Sequence, residues 1–126
     1  MKQLIVYGFC ALISVGLLSA CEDEESRVTV DELEMLKAEI LDLIADKSCK
    51  GEGDCATIAF GAKPCGGPNT HLVFAKSNVD QTLLEEKVNN FNQLEHKFNM
   101  ESGLLSDCAV ELPPQVTCQD GVCVAL

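Results

Sequence analysis

The sequence predicts an α+β fold in which two amphipathic helices accompany a small antiparallel sheet, with disulfides stapling the elements together. Three observations indicate this fold class: two apolar stripes with helical periodicity, short β-rich runs bounded by glycine and proline, and six cysteines in two clusters, one on each side of the second stripe. A helix, two strands, a second helix and two or three further strands, in that order, are typical of the α+β class. The 106 residues from Cys21 to Leu126 are enough for one domain with a modest core.

The first 20 residues have the pattern of an export signal. Lys2 precedes an apolar run from Leu4 to Leu18 that is shorter than the ~20 residues a spanning helix needs. The run ends in Leu18-Ser19-Ala20-Cys21, which resembles the lipobox of bacterial lipoproteins. That resemblance implies removal of residues 1–20 and a membrane anchor of lipid on Cys21. The alternatives are an ordinary secretory signal with a cysteine there by chance, and an uncleaved membrane helix.

Residues 21–28 are predicted to be the lipidated cysteine and an acidic tether. Four consecutive acidic residues, at positions 22–25, repel one another and favour an extended, solvated segment. An acidic cluster beside the cysteine resembles the surface-export signals of some Bacteroidetes lipoproteins. Aspartate directly after the cysteine, associated with inner-membrane retention in enteric bacteria, is absent. These resemblances imply a lipid-anchored protein of the cell envelope, with the outer membrane favoured, on its periplasmic face or at the cell surface.

The folded domain is predicted to span residues 29–126, and its first helix residues 30–47. Thr29 and Glu32 have the spacing of a capping box. One face of the segment is apolar at helical spacing, and it consists of Leu33, Leu36, Ile40, Leu43 and Ile44.

Two strands and a second helix are predicted next. Residues 55–60 and 71–75 are β-rich runs separated by glycines and Pro68. The second helix is expected from Val79 to about Glu101, with Ser77 or Asn78 as its cap and Gly103 just past its end. Its apolar stripe comprises Leu84, Val88, Phe91, Leu94 or Glu95, and Phe98. Phe60, Phe74, Phe91 and Phe98 are expected in the core.

The end of the chain contains short β-rich runs. Residues 109–112 are followed by the break Pro113-Pro114, and residues 115–117 and 122–126 flank Asp120-Gly121. An Asp-Gly pair between two such runs is a strong signal for a two-residue hairpin turn.

Six cysteines of the predicted domain form a disulfide framework: Cys49, Cys55, Cys65, Cys108, Cys118 and Cys123. An even number in a small exported chain favours disulfides, although six cysteines allow 15 connectivities. The two clusters are nearly mirror images around the second helix, so bridges between them would tie the strands on either side into one sheet. One specific pair is geometrically allowed, because Cys118 faces Cys123 at a non-hydrogen-bonded position of the predicted hairpin. The same two cysteines are equally able to point towards Cys49 or Cys55.

A zinc site is the competing interpretation of the cysteines. Structural zinc favours C-x2-4-C spacing and a reducing compartment, and neither condition fits this chain well. The pattern over residues 48–124, with Gly61-Ala-Lys-Pro-Cys-Gly-Gly-Pro68 and Cys118-Gln-Asp-Gly-Val-Cys123, resembles a group of small exported or lipid-anchored bacterial proteins without an assigned activity. That resemblance implies a disulfide-bonded domain and transfers no functional residue.

Charge and composition restrict the partners. After residue 20 the chain has 20 acidic and eight basic residues, a net charge of −12, which disfavours nucleic acid and permits a cationic protein. Tyr7 is the only tyrosine, Arg27 is the only arginine, and tryptophan is absent. Tight recognition through exposed aromatic anchors is therefore not expected.

No catalytic, cofactor or metal residue is predicted. His71 is expected to fill a hydrogen-bonding role and His96 to be solvated; Glu52-Gly53-Asp54 lacks the alternating ligands of a calcium loop. The sequence therefore favours a non-catalytic structural or interaction domain of the envelope, in which acidic residues such as Glu52, Asp54 and Glu111 matter more than the histidines. The alternative is an acidic inhibitor or binding module for a cationic exported protein such as a lysozyme or protease, since the general design resembles periplasmic lysozyme inhibitors.

Overall fold

A computed structural model describes residues 26–126. The predicted export signal, Cys21 and the acidic residues 22–25 lie outside the described residues. The described elements are α1 (Val30–Leu43), β1 (Cys55–Phe60), β2 (Thr70–Ala75), α2 (Gln81–Ser102), β3 (Val116–Gln119) and β4 (Val122–Ala125). The predicted α+β class, with two helices and antiparallel strands stapled by disulfides, is confirmed. Between residues 26 and 126, no helix has the length and apolar character needed to cross a membrane.

The strands form two separate two-stranded sheets where one had been expected. β1 pairs with β2 in antiparallel register from Cys55 opposite Ala75 to Phe60 opposite Thr70, and β3 pairs with β4. The turn of the second hairpin has positive φ at Asp120 (52°) and at Gly121 (78°), which is the backbone that a tight Asp-Gly turn requires. The predicted hairpin turn is therefore confirmed.

Helix α1 begins where the sequence predicts and ends earlier. The Thr29 side chain accepts a hydrogen bond from the Glu32 backbone N–H at 3.2 Å, as a capping residue does. The helix stops at Leu43, whereas Lys47 was expected. The physical reason is that the Asp46 carboxylate bonds to the Ser48 N–H and hydroxyl, and the Lys47 carbonyl accepts from the Cys123 N–H of β4 at 2.8 Å.

Helix α2 is capped by Asp80, so the predicted caps Ser77 and Asn78 are wrong. The Asp80 side chain accepts from the Leu83 N–H. Ser77 bonds to the Asp54 carboxylate instead, and Asn78 donates to residue 48. The helix ends at Ser102, and Gly103 beyond it adopts the left-handed conformation with φ of 61°, as expected for a helix terminus.

The core lies between α1, α2 and the β1–β2 hairpin. Its buried members are Val28, Leu33, Ile40, Ile44, Phe60, Phe74, Leu84, Val88 and Phe91, with Phe98 partly buried against them. The rings of Phe60 and Phe91 stack with centroids 4.4 Å apart. The expected positions of all four phenylalanines are thus confirmed. The folded part also includes residues that were assigned to the tether, since Val28 is buried and the Ser26 carbonyl accepts from Lys97 Nζ.

All six predicted cysteines form disulfides, and each bridge joins one cluster to the other. The pairs are Cys49–Cys118, Cys55–Cys123 and Cys65–Cys108. The candidate pair Cys118–Cys123 is wrong, although the two residues do lie opposite each other in the hairpin register. Opposite residues on paired strands project from the same face. Both sulfur atoms therefore reach Cys49 and Cys55 across that face, so the two hairpins are joined by disulfides.

Candidate functional site

A polar stripe on α2 fixes the loop that follows β1. Asn92 Oδ1 accepts from the Gly61 N–H at 2.7 Å, and Glu95 Oε2 accepts from the Ala62 N–H at 2.6 Å. One turn further along, Asn99 Nδ2 donates to the Ala62 carbonyl at 2.6 Å. The sequence predicts Glu95 only as an alternative to Leu94 in the apolar stripe of α2, and it does not predict a role for either asparagine. A signal was present, because asparagine favours caps and turns over helix interiors, and these two lie seven residues apart in the same helix.

Gly61 allows this loop to lie close to α2. Its φ is +85°, and a Cβ atom there would lie 2.5 Å from Asn69 Nδ2 and 2.8 Å from Glu95 Oε2. Both the backbone conformation and the available space therefore require glycine.

Lys63 extends from the same loop to the segment that follows α2. Its side chain is buried, and Nζ lies 3.1 Å from Asp107 Oδ1, 2.9 Å from the Ala109 carbonyl oxygen and 4.0 Å from Glu111 Oε1. The hydrogen bond from Lys63, together with its positive charge, lowers the pKa of Asp107. The Cys65–Cys108 disulfide makes a second connection between the two segments.

Residues 104–115, which we call the braced loop, are held by these contacts while their apolar side chains face solvent. The exposed fractions are 96% for Leu105, 81% for Val110 and 76% for Leu112. No strand forms over residues 109–112; the Ala109 carbonyl is bonded to Lys63 instead. The connection is longer than the median of about 4–6 residues between elements of compact domains. It is tied to the domain on its inner side.

A groove lies between α1, α2 and the end of the β1–β2 hairpin at which β1 leads into its connecting loop. Its volume is about 340 Å³. Its apolar lining includes Leu33, Phe60 and Phe91, all of which are buried. Glu34 and Lys37 from α1 also contribute to the wall.

The acidic residues singled out from the sequence bond to different partners. The Asp54 carboxylate accepts from the Ser77 hydroxyl at 2.8 Å and from the Ser77 N–H at 2.9 Å. Both bonds lower the pKa of Asp54, and the bond from the Ser77 hydroxyl has the larger effect. Glu52 accepts from the Thr117 hydroxyl at 3.4 Å, and Glu111 lies beside Lys63. The structure therefore does not bring these carboxylates together as the ligands of one ion.

The two histidines lie on different elements. His71 is half-buried in β2, and His96 is exposed on α2. Neither imidazole has a hydrogen-bond partner among residues 26–126, so the hydrogen-bonding role expected for His71 is not found. Solvent exposure of His96 is confirmed.

Among residues 26–126, one group of potential metal ligands consists of three cysteine sulfur atoms. The Sγ atoms of Cys49, Cys55 and Cys123 lie within 4.8 Å of one another. Each of them is bonded in a disulfide, and zinc is bound by thiolates. The cysteine cluster is therefore part of the disulfide framework.

Comparisons with protein-family models, with curated proteins and with solved structures found no match.

Proposed function

We propose that this protein is a lipid-anchored, non-catalytic interaction domain of the bacterial cell envelope, which contacts its partner through the braced loop. Two observations together carry the proposal. Leu105, Val110 and Leu112 are exposed, and the loop is attached to the domain by hydrogen bonds of Lys63 and by the Cys65–Cys108 disulfide. A loop that is already ordered loses less conformational entropy on binding than a free one. Exposed apolar side chains on such a loop offer area that a partner can bury.

The anchor is assigned to Cys21, on the strength of Leu18-Ser19-Ala20-Cys21. A lipoprotein cysteine carries two or three acyl chains, and two or more hold a protein stably on a membrane. The proposal gives the outer membrane as the favoured location. The three disulfides support an oxidising compartment outside the cytoplasm.

Replacing Cys21 with serine tests the anchor. We expect Cys21→Ser to lose palmitate labelling and to appear in the soluble fraction or as an uncleaved precursor. Cys10→Ser is the matched control, since Phe9 before it does not fit the lipobox. Equal palmitate labelling of the wild type and of Cys21→Ser would contradict the anchor.

A cationic envelope protein is the proposed class of partner. The charge of −12 after residue 20 favours such a partner over nucleic acid. Glu52 is exposed, and so is Glu111, which lies within the braced loop. His71 and His96 are given no role in this proposal.

The braced loop also favours a more specific second candidate. An exposed segment of fixed conformation, held by a disulfide on its inner side, is suited to enter the cleft of an enzyme. The chain would then be an inhibitor of a cationic exported lysozyme or protease. Assays of lysozymes and proteases in the presence of the domain separate this candidate from a purely structural partner.

Binding to a cationic partner should be sensitive to salt and to changes in the braced loop. In pull-downs from envelope extract we expect partner recovery to fall between 0.1 M and 1 M salt, because the Debye length shrinks from about 10 Å to about 3 Å. Leu105→Ser should reduce recovery. Met100→Ser is the control, since Met100 is an exposed apolar residue that lies on α2.

Two results would contradict this part of the proposal. Recovery unchanged at 1 M salt would remove charge as the basis of binding. Turnover of an ester, peptide or glycan substrate that is abolished by His71→Ala or His96→Ala would make the protein an enzyme.

A further inference from the structure

The groove beside α1 has the size and lining of a small-molecule site that the proposed partner binding does not use. Its volume of about 340 Å³ lies within the ~300–1,000 Å³ range of ligand pockets, which are mostly apolar with a few polar groups. The lining comes from α1, α2 and both strands of the first hairpin. The braced loop, residues 104–115, does not contribute to it.

The groove follows both helices. Its α1 wall runs from Val30 to Leu41, and its α2 wall from Phe91 to Phe98. At the helical rise these walls are about 16 Å and 10 Å long. A ligand that contacts the whole α1 wall is therefore an extended one.

Apolar surface remains uncovered at both ends of the α1 wall. Val30 is 56% exposed and Leu41 is 43% exposed. The floor between the helices is closed by the stacked rings of Phe60 and Phe91. A chain lying along the groove would therefore bury apolar surface from end to end, and each buried methylene stabilises such a complex.

One cation at the groove is suited to a carboxylate. Lys37 is half-buried in the α1 wall and has no hydrogen bond or ion pair with any residue from 26 to 126. The acidic residues of the lining are Glu34, which is exposed one turn before Lys37 on α1, and Glu95, whose Oε2 accepts from the Ala62 N–H and from Asn69 Nδ2. Lys37 is the cation of the lining, and therefore the group that can pair with an anionic head.

From this groove we infer a binding site for a fatty acid, with the acyl chain along α1 and the carboxylate at Lys37. The inference does not depend on the proposed lipid anchor or on the braced loop. Burial of the acyl chain accounts for most of the affinity, and the ion pair with Lys37 fixes the orientation of the fatty acid.

The test uses the chain from residue 21 with Cys21→Ser, so that no acyl group is attached to the protein. This chain contains every described element and all six cysteines of the three disulfides. Octanoate and laurate are titrated by calorimetry below their critical micelle concentrations, and methyl laurate below its solubility limit. Each buried methylene should tighten binding up to about fourfold, so laurate should bind at least tenfold more tightly than octanoate.

Two substitutions locate the site. Leu41→Glu should weaken laurate binding at least tenfold, whereas Met35→Glu, an exposed position on α1 outside the groove, should leave it unchanged. Lys37→Met should weaken laurate binding and leave methyl laurate unaffected. Lys37→Met also keeps the test decisive if Leu41→Glu fails to fold, which a thermal melt would detect.

Several outcomes would overturn the inference. They are the absence of saturable laurate binding, equal losses with Leu41→Glu and Met35→Glu, and equal affinity of wild type and Lys37→Met for laurate. Laurate bound by the Cys21→Ser chain but excluded from membrane-extracted wild type would assign the groove to the protein's own acyl chain instead of a free fatty acid. Displacement of laurate by an envelope protein would assign it to that partner.

Discussion

Asp54 connects the two ends of the first hairpin through a single side chain. It lies just before β1, and its carboxylate accepts two hydrogen bonds from Ser77, just after β2. Both bonds favour the ionised carboxylate, and they lower the pKa of Asp54 below its ordinary value. Asp107, which accepts a hydrogen bond from Lys63, has a lowered pKa as well.

These pKa directions predict a loss of stability in acid. An aspartate whose pKa is lower in the folded chain than its unfolded value of about 3.9 stabilises the fold above that value, and this contribution is lost as the pH falls through the folded pKa. The free energy of unfolding in urea should therefore decline below about pH 4. Asp54→Asn should be less stable at pH 7 and should show a shallower decline.

Glu85→Gln is the matched control for this measurement. Glu85 is exposed on α2 and has no hydrogen-bond partner among residues 26–126. The free energy of unfolding of Glu85→Gln should vary with pH in the same way as that of the wild type. A decline below pH 4 that is identical in Asp54→Asn and wild type would exclude Asp54 as a contributor.

At the scale of elements, helix α2 has two functions, and only one of them is evident from the sequence. The apolar stripe containing Leu84, Val88 and Phe91 repeats at helical spacing, so its burial could be predicted from the sequence alone. The bonds of Asn92, Glu95 and Asn99 to residues 61–62 could not. They join positions more than 30 residues apart, and no local pattern specifies which backbone groups a polar helix residue will reach.

The same distinction explains where α1 ends. Local signals correctly identified Thr29 as the residue that begins the helix. Its end depends on Lys47, whose carbonyl binds the Cys123 N–H, and on the turn made by Asp46 and Ser48. The partner strand lies more than 70 residues away in sequence, and helical periodicity therefore overestimated the length of α1.

The polar bonds of α2 predict a measurable loss of stability. Glu95→Leu would leave the Ala62 N–H without its acceptor, and an unsatisfied group of this kind costs about 1–3 kcal/mol. Glu95→Gln retains an acceptor oxygen and should cost less. Glu86→Leu is the control, because Glu86 is exposed on the same helix. Urea unfolding at pH 7 measures all three, and equal stability of Glu95→Leu and Glu86→Leu would contradict the assigned role.

At the scale of the whole molecule, two of the disulfides join the two hairpins. The β3–β4 hairpin is bound to the rest by Cys49–Cys118 and Cys55–Cys123, by the hydrogen bonds of the bridge between residues 47–49 and 121–123, and by a small buried cluster that includes Ala75. An isolated two-stranded hairpin is marginally stable at best in water. Composition and cysteine count predicted a disulfide-bonded domain, but not which sulfur atoms pair, since that depends on how the two hairpins face each other.

The position of each bridge predicts a different consequence of its removal. Removing the Cys55–Cys123 bridge by a double alanine substitution should cost about 2–5 kcal/mol, as is typical for small exported domains. Amide exchange in β3 and β4 should accelerate because the hairpin loses an attachment to the core. Removing Cys65–Cys108 should instead release the braced loop and leave exchange in β3 and β4 close to that of the wild type.

Amide exchange measured by mass spectrometry, with urea unfolding of the same samples, distinguishes these consequences. In the loop variant, peptides covering residues 104–115 should exchange faster, and partner recovery should fall because the loop is no longer ordered before binding. Unchanged exchange in β3 and β4 after loss of Cys55–Cys123 would show that Cys49–Cys118 and the backbone pairing are sufficient to secure the hairpin. Full recovery of the partner without Cys65–Cys108 would show that bracing by this disulfide is not required for the loop to bind.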